Sequence, residues 1–146
     1  MKQKLLLLAL SFVLFSVTSN SFADKYHGEF CWQVFSESGD PLWRYQLGIY
    51  EKEGGHLALY GAVDYGTNGN SASHGNAIFV GNNIKVTLVS ADREEGIQVW
   101  AETFAATLNS STLSGTWNAL TLEINDGEDT SGSVHQRGTI NLIACQ

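Results

Sequence analysis

The residues best suited to chemistry lie on two predicted strands that fold back on each other between Ile97 and Ile124. Residues spaced by two share one face of a strand, and a turn at residues 109–112 would bring one face of each strand together. The combined face carries Gln98, Trp100, Glu102, Phe104 and Trp117. Pointing inward, Glu102 would be a buried carboxyl that needs a partner, which marks a candidate ligand site. Pointing outward, it would be solvated among exposed tryptophans, an arrangement suited to contact with a protein or glycan.

The opposite face of this hairpin favours the inward orientation, because it is less apolar. It carries Val99, Ala101, Thr103, Ala105, Ser114 and Thr116. Along the second strand the apolar residues change face, from Leu113 and Trp117 to Leu120 and Leu122. A bulge near Asn118-Ala119 would explain that change.

Catalytic and metal-binding patterns are weak. The histidines, His27, His56, His74 and His135, form no H-E-x-x-H motif, and no serine lies in a G-x-S-x-G turn. The oxygen-rich run at residues 125–129 departs from the D-x-[DN]-x-[DN]-G spacing of a calcium loop, which favours a solvated turn. We predict that the protein is not an enzyme and has no metal or cofactor.

The first 23 residues have the pattern of a secretory signal peptide. Lys2 and Lys4 precede an apolar stretch of 13 residues, and a Ser-x-Ala site ends at Ala23. A transmembrane helix would need about 20 apolar residues. Cleavage would leave one domain, Asp24 to Gln146, exported to the periplasm or the extracellular space. Its six basic and 15 acidic residues give a net charge of −9, which disfavours a nucleic-acid partner.

The only two cysteines, Cys31 and Cys145, lie near the two ends of that domain. In an oxidising compartment a disulfide is the expected state of such a pair. The alternatives, free thiols or a metal site, have less support because no C-x-x-C spacing is present. The bond would close a loop of about a hundred residues and stabilise the fold by about 4 to 5 kcal/mol in the chain-entropy account.

The predicted mature chain lacks helical periodicity and contains eight alternating segments bounded by Gly, Asn, Asp and Ser. They are Glu29 to Phe35, Leu42 to Glu51, His56 to Tyr65, Gly75 to Val80, Asn83 to Ala91, Ile97 to Leu108, Leu113 to Ile124 and Val134 to Cys145. The connections are too short for crossover helices, so neighbours should pair as antiparallel hairpins. The sequence predicts an all-β fold, an eight-stranded antiparallel up-and-down β-barrel; a β-sandwich is the alternative.

In such a barrel the first and last strands pair. Cys31 and Cys145 share the outward face of these strands, so the disulfide should join them. Short connections at residues 52–54, 81–82 and 109–112 predict the registers. They place Ile49 opposite Leu57, Phe79 on one face with Ile84, and Leu108 opposite Leu113. The other connections, at residues 36–41, 66–74, 92–96 and 125–133, are longer, which predicts a tightly turned base and a mouth fringed by loops.

Many of the predicted inward side chains are aromatic. An eight-stranded barrel encloses just enough space for its own side chains or for one small ligand, so these aromatics either fill the core or line a cavity. We predict a small hydrophobic or aromatic ligand, bound inside by Trp32, Trp43 and Tyr45 together with Gln98, Trp100, Glu102, Phe104 and Trp117. The alternative is an interaction module that contacts a protein or glycan through mouth loops or exposed aromatics.

The predicted outward face is polar, whereas an outer-membrane barrel needs a continuous apolar band there. It carries Glu29, Gln33, Arg44, Gln46, Lys85, Arg137 and Asn141. We therefore expect a barrel that is not embedded in a membrane.

One short motif carries a family resemblance. Ser114-Gly115-Thr116-Trp117-Asn118 is similar to the S-G-T-W opening of avidins, and the predicted architecture resembles the calycin group of lipocalin and avidin barrels. In those families the G-x-W lies on the first strand, whereas here it lies on the seventh and the first strand reads Gly28-Glu29-Phe30-Cys31-Trp32. No ligand residue can be transferred. The resemblance implies only that a small, largely apolar molecule is bound.

Overall fold

The structure is a computed structural model that describes residues 24–93, 99–125 and 128–145, with the side chains of 68, 92–93, 99–100, 123–125 and 128–133 outside that description. The predicted signal peptide, residues 1–23, also lies outside it. Eight strands follow one another: β1 (Lys25–Ser36), β2 (Pro41–Glu51), β3 (Leu57–Asp64), β4 (Asn70–Val80), β5 (Asn83–Arg93), β6 (Val99–Asn109), β7 (Gly115–Asn125) and β8 (Glu128–Ile143).

The strands form one closed antiparallel barrel in sequence order, with β8 paired to β1. The predicted eight-stranded up-and-down barrel is therefore confirmed, and the sandwich alternative is wrong. The local cause of this fold is the alternation of apolar and polar residues along each strand, because successive side chains of a strand point to opposite faces of the sheet. Along β2, for example, Trp43, Tyr45 and Leu47 are buried while Arg44 and Gln46 are exposed.

The predicted disulfide is present between Cys31 and Cys145. Its two Cα atoms are 5.2 Å apart, within the usual range for such a bond. Cys31 lies on β1 opposite Ile143 of β8, and Cys145 follows two residues later. The bond therefore fastens the seam at which the barrel closes.

Two of the three predicted hairpin registers are wrong by two residues. Glu51 pairs with Leu57, which leaves a connection at residues 52–56, and Leu108 pairs with Gly115. A shift of two preserves the face of every side chain, so the inward and outward sets are unchanged. The turn at Gly81 is as predicted, and Phe79 pairs with Ile84.

The predicted contrast between a tight base and a long-looped mouth is wrong for the connections that the structure describes. β4 begins at Asn70 and β8 at Glu128, earlier than expected, so most of the two supposed loops is strand. Ser71 and Ser73 of β4 alternate inward and are buried. Small polar residues can thus occupy inward positions that a search for alternating apolar residues does not detect.

The bulge predicted near Asn118-Ala119 is also wrong. β6 and β7 pair without interruption from Val99 opposite Ile124 to Leu108 opposite Gly115. The one irregularity that β7 shows, against β8, lies between Glu123 and Asn125. β7 keeps its phase, with Trp117 and Ala119 buried, so Leu120 and Leu122 face outward.

Glycines let the strands bend where neighbouring backbones come very close. A Cβ on Gly61 would lie 1.9 Å from the carbonyl oxygen of Gln46, and one on Gly138 would lie 2.0 Å from that of Phe35. Both residues occupy inward positions, where only a residue without a side chain fits. The barrel therefore closes around a narrow interior.

Candidate functional site

The face that carries Glu102 points into the barrel, as predicted. Glu102, Phe104 and Trp117 are each at most 3% exposed. From the other strands, Trp32, Trp43 and Tyr45 are also buried inside. Of the other predicted site residues, Gln98 lies outside the described residues, and Trp100 is described only in its backbone, as a member of β6. Six of the eight predicted side chains therefore meet in the interior.

Glu102 is held by hydroxyl groups from other strands. Tyr45 donates to Glu102 Oε1 at 2.8 Å, and Thr121 donates to Oε2 at 3.5 Å. Burial raises the pKa of the Glu102 carboxyl, and the nearby hydroxyl groups of Tyr45, Thr121 and Tyr65 oppose that rise. Burial, followed by the charge of Glu102, raises the pKa of the Tyr45 phenol. The phenol therefore remains protonated and acts as a donor.

An unbroken series of ring contacts runs beside the carboxyl. The ring centroids of Tyr45 and Phe104 are 4.9 Å apart, those of Phe104 and Trp117 5.5 Å, those of Trp117 and Trp43 5.1 Å, and those of Trp43 and Tyr65 5.8 Å. These separations are typical of favourable aromatic pairs. Tyr45, at one end of the series, donates to the Glu102 carboxyl, and the Tyr65 hydroxyl, at the other end, is close enough to lower the pKa of that carboxyl.

The interior tryptophans differ in how their indole N–H groups are satisfied. Trp32 donates to the carbonyl oxygen of Leu113 and Trp117 to that of Phe35, both at 2.9 Å. The Nε1 of Trp43 is buried and has no hydrogen-bond partner among the described residues. It is near enough to the Tyr45 hydroxyl to lower the pKa of that phenol slightly, against the larger effect of burial. Trp43 is therefore the described interior tryptophan whose donor is still free for an acceptor.

The space inside the barrel is small and apolar. A cavity of about 40 Å³ lies among Trp32, Tyr45, Leu47, Leu88 and Phe104. An apolar cavity that takes up benzene measures about 150 Å³, and ordinary ligand pockets measure about 300 to 1,000 Å³. The cavity therefore has room for a few water molecules, and an aromatic ligand could enter only by displacing side chains.

Two residues of the interior site were missed from the sequence. Tyr65 follows β3 and continues the inward alternation of Leu59 and Val63, which was the signal that could have identified it. Thr121 lies two residues beyond Ala119 on β7. It was missed because the expected bulge would have turned it outward.

A second cluster of aromatic rings lies on the outside of β1 to β3. Tyr26 and Tyr60 are 54% and 52% exposed, and Tyr50 lies between them. A Cβ on Gly48 would touch the rings of Tyr26 and Tyr50 at 3.4 and 3.3 Å, so these rings lie across that glycine. We call Tyr26, Tyr50 and Tyr60 the tyrosine surface.

The four histidines are surface residues. All of them are exposed, and His27 bonds at 2.9 Å to Glu51 at the base of the barrel. Within residues 24–93, 99–125 and 128–145, no three His, Cys, Asp or Glu side chains are grouped as metal ligands. The described residues also include no helix of the length and apolarity that crossing a membrane requires.

Comparison of the chain with protein-family models, curated proteins and solved structures finds no match. The closed eight-stranded antiparallel barrel is compatible with a calycin-like architecture. Any activity must therefore be argued from the residues themselves.

Proposed function

We propose that the protein is an exported, non-catalytic binding module that contacts a neutral glycan through the tyrosine surface. The observation that carries the proposal is a row of three adjoining outward-facing rings, of which Tyr26 and Tyr60 are exposed and Tyr50 is half-buried. Centroids of Tyr26 and Tyr50 are 4.9 Å apart, and those of Tyr50 and Tyr60 are 6.0 Å apart. Exposed aromatic clusters of this kind mark binding surfaces, and a tyrosine ring offers an apolar face for a sugar ring together with a hydroxyl for hydrogen bonding.

Polar groups border the tyrosine surface and favour a neutral ligand. Glu51 accepts from His27 at 2.9 Å and lies 3.7 Å from Lys25. Glu29 accepts from Gln46 at 2.6 Å. Such groups can bond to sugar hydroxyls, while the carboxylates and the acidic net charge oppose an anionic polysaccharide. The predicted leader and the disulfide, a bond typical of exported proteins, support action outside the cytoplasm.

Affinity electrophoresis in gels that contain a neutral polysaccharide (dextran, mannan or a soluble cellulose derivative) or an acidic one (alginate) tests this function. We expect at least one neutral polymer to retard the protein, and alginate to leave its mobility unchanged. Tyr60→Ala and Tyr26→Ala should reduce the retardation several-fold. Phe79→Ala is the matched control, because Phe79 is 58% exposed but lies on β4, outside the tyrosine surface. Equal losses in control and test variants, or no retardation by any neutral polymer, would reject the proposal.

A second candidate function is the binding of a small hydrophobic or aromatic molecule inside the barrel, which the calycin resemblance also implies. The observation in its favour is the free Nε1 of Trp43. A buried donor without an acceptor costs about 1 to 3 kcal/mol, and a ligand with one acceptor group would recover that energy. Because the cavity is only about 40 Å³ and Trp43 does not line it, side chains have to move for a ligand to enter and reach the indole.

A pair of probes of similar shape tests the interior site. Acetophenone carries a carbonyl acceptor that ethylbenzene lacks, so it should bind several-fold more tightly in a titration followed by tryptophan fluorescence. Trp43→Phe should remove that preference, whereas Trp117→Phe, which changes an indole already bonded to Phe35, should retain it. Native mass spectrometry of protein purified from its own host would reveal a retained molecule. If neither probe binds and no molecule is retained, the interior function is excluded.

A further inference from the structure

The outer surface of β5, β6 and β7 is unusual for a protein with so many carboxylates. Twelve described side chains project there in four rows of three, set by the strand registers. From base to mouth the rows are Lys85, Thr107 and Thr116; Thr87, Ala105 and Asn118; Val89, Thr103 and Leu120; Ala91, Ala101 and Leu122. We call these twelve residues the β5–β7 face. None of them is acidic, and Lys85, the one charged residue among them, bonds to Thr107 at 2.8 Å.

The mouth half of this face exposes apolar side chains. Leu122 is 45% exposed and Val89 is 42% exposed, and Leu120 is half-buried beside them. The uninterrupted pairing of β6 with β7 fixes both leucines outside. The core therefore does not account for these apolar residues, and because they adjoin one another they form a patch that a partner could cover.

The sizes of the side chains on the β5–β7 face suit contact with a second copy of the same surface. The central strand, β6, presents only alanine and threonine, while Val89 of β5 and Leu120 and Leu122 of β7 stand on either side. The two leucines of β7 therefore form a ridge on one flank of the mouth half of the face, beside the short side chains of β6. In a two-fold contact the same patch is used twice, and the leucine ridge of each copy can lie on the short β6 side chains of the other.

Charge also favours self-association through this face. Two acidic chains repel each other wherever carboxylates meet, and none of the twelve side chains of the β5–β7 face is a carboxylate. From these observations we propose that the β5–β7 face is a homodimer interface.

The area of the β5–β7 face is about 300 Å², given strands about 4.8 Å apart and a rise of about 3.3 Å per residue. A standard stable interface buries about 800 Å² per partner, so the dimer forms only at micromolar or higher concentrations.

The geometry of the dimer has a consequence that rests on the proposed glycan function. In a closed barrel of eight strands β2 lies opposite β6, so a contact through β5–β7 leaves both tyrosine surfaces facing outward. The dimer would then hold a polymer at two points and gain avidity. Self-association does not depend on that function and is measured without a glycan.

Sedimentation equilibrium of the mature, disulfide-bonded protein from 5 to 500 μM tests the interface. We expect the mean mass to rise from monomer toward dimer over this range, and Leu122→Glu to weaken association at least tenfold. Leu42→Glu is the matched control, since Leu42 is 40% exposed on the outside of β2, and it should leave association unchanged. If Leu122→Glu does not fold, as judged by circular dichroism, Thr103→Arg, at an exposed position on the central strand of the β5–β7 face, should give the same loss.

A wild-type protein that is monomeric at 500 μM would overturn the proposal. So would a dimer that is equally sensitive to the control and test variants. A chain that is monomeric alone, but whose β5–β7 face is covered by a different protein, would also refute self-association.

Discussion

The phenol of Tyr45 donates a 2.8 Å hydrogen bond to the Glu102 carboxyl from a strand on the opposite side of the barrel. The two residues are 57 positions apart in the chain, and both are buried. Hydrogen bonds to charged groups are stronger than those between neutral partners, and an unsatisfied buried carboxyl would be costly. This pair therefore couples β2 to β6 through the interior, independently of the strand-to-strand ladder.

Replacing Glu102 should change how stability depends on pH. Burial raises the pKa of Glu102 above its ordinary value of 4.5, so the folded state holds this proton more tightly than the unfolded chain. Its contribution to the free energy of unfolding is full below about pH 4.5 and is lost as pH rises through the folded pKa, by about 1.4 kcal/mol for each pH unit of that interval. Relative to the wild type, Glu102→Gln should therefore gain stability as pH rises. Urea unfolding from pH 4 to pH 8 measures the difference, and a constant difference would contradict the assignment.

Removing the Tyr45 hydroxyl should destabilise the barrel. Tyr45→Phe leaves one oxygen of a buried carboxyl without its closest donor, a change that costs about 1 to 3 kcal/mol. Tyr26→Phe removes a hydroxyl from an exposed ring and should change the free energy of unfolding by less than about 0.5 kcal/mol. Denaturant titrations of both variants at neutral pH compare them. Equal effects would mean that the bond between Tyr45 and Glu102 contributes little.

Adding one methyl group should cost much more stability at Gly61 than at Gly48, a glycine on the neighbouring strand. In Gly61→Ala the new Cβ would lie 1.9 Å from the backbone oxygen of Gln46, so the strands have to separate, at a cost of more than about 2 kcal/mol. In Gly48→Ala the Cβ meets ring atoms of Tyr50 and Tyr26 at 3.3 and 3.4 Å, and these outward-facing rings, the first half-buried and the second exposed, can shift. That variant should lose less than about 1 kcal/mol. Thermal unfolding followed by circular dichroism checks the order of the two.

Removal of the disulfide should lower the free energy of unfolding. Cys31 and Cys145 are 114 residues apart, and the chain-entropy account gives a loss of about 4 to 5 kcal/mol for the double variant Cys31→Ala, Cys145→Ala. Denaturant unfolding of the variant and of the wild type, both without reductant, gives the value. As a check on the bond itself, unreduced wild-type protein should take up no thiol reagent when denatured. An uptake of two equivalents would show that the cysteines are free.

The alternation of side chains between the two faces of each strand made most of the fold predictable from the sequence. The alternating apolar residues of β1 and β2 set their inward faces. Cys31 and Cys145 both fall on the outward face, which identified the seam between the first and last strands. The connection after Glu51 was predicted as a three-residue turn with one glycine at positive φ. Gly54 and Gly55 both adopt positive φ, at 83° and 77°, and the turn is two residues longer.

The outer surface was less predictable than the interior. Leu120 and Leu122 were expected to be inside because apolar side chains usually are, and the bulge near Asn118-Ala119 was introduced to allow this. Most interior side chains, by contrast, were identified from spacing alone, but Tyr65, Thr121, Ser71 and Ser73 were missed. Exposure of the tyrosine surface depends on three strands packing side by side, which no local pattern encodes.

The seam disulfide also determines how the molecule transmits mechanical force. Tension applied to residue 24 and residue 145 passes from Cys145 directly to Cys31, so the strands that lie between these cysteines in the chain carry almost none of it. Only the short segment before Cys31 can be peeled from the barrel while the bond is intact. The other strands remain folded under loads that would unravel a barrel closed by hydrogen bonds alone, and a reducing environment would remove this protection without any change in sequence.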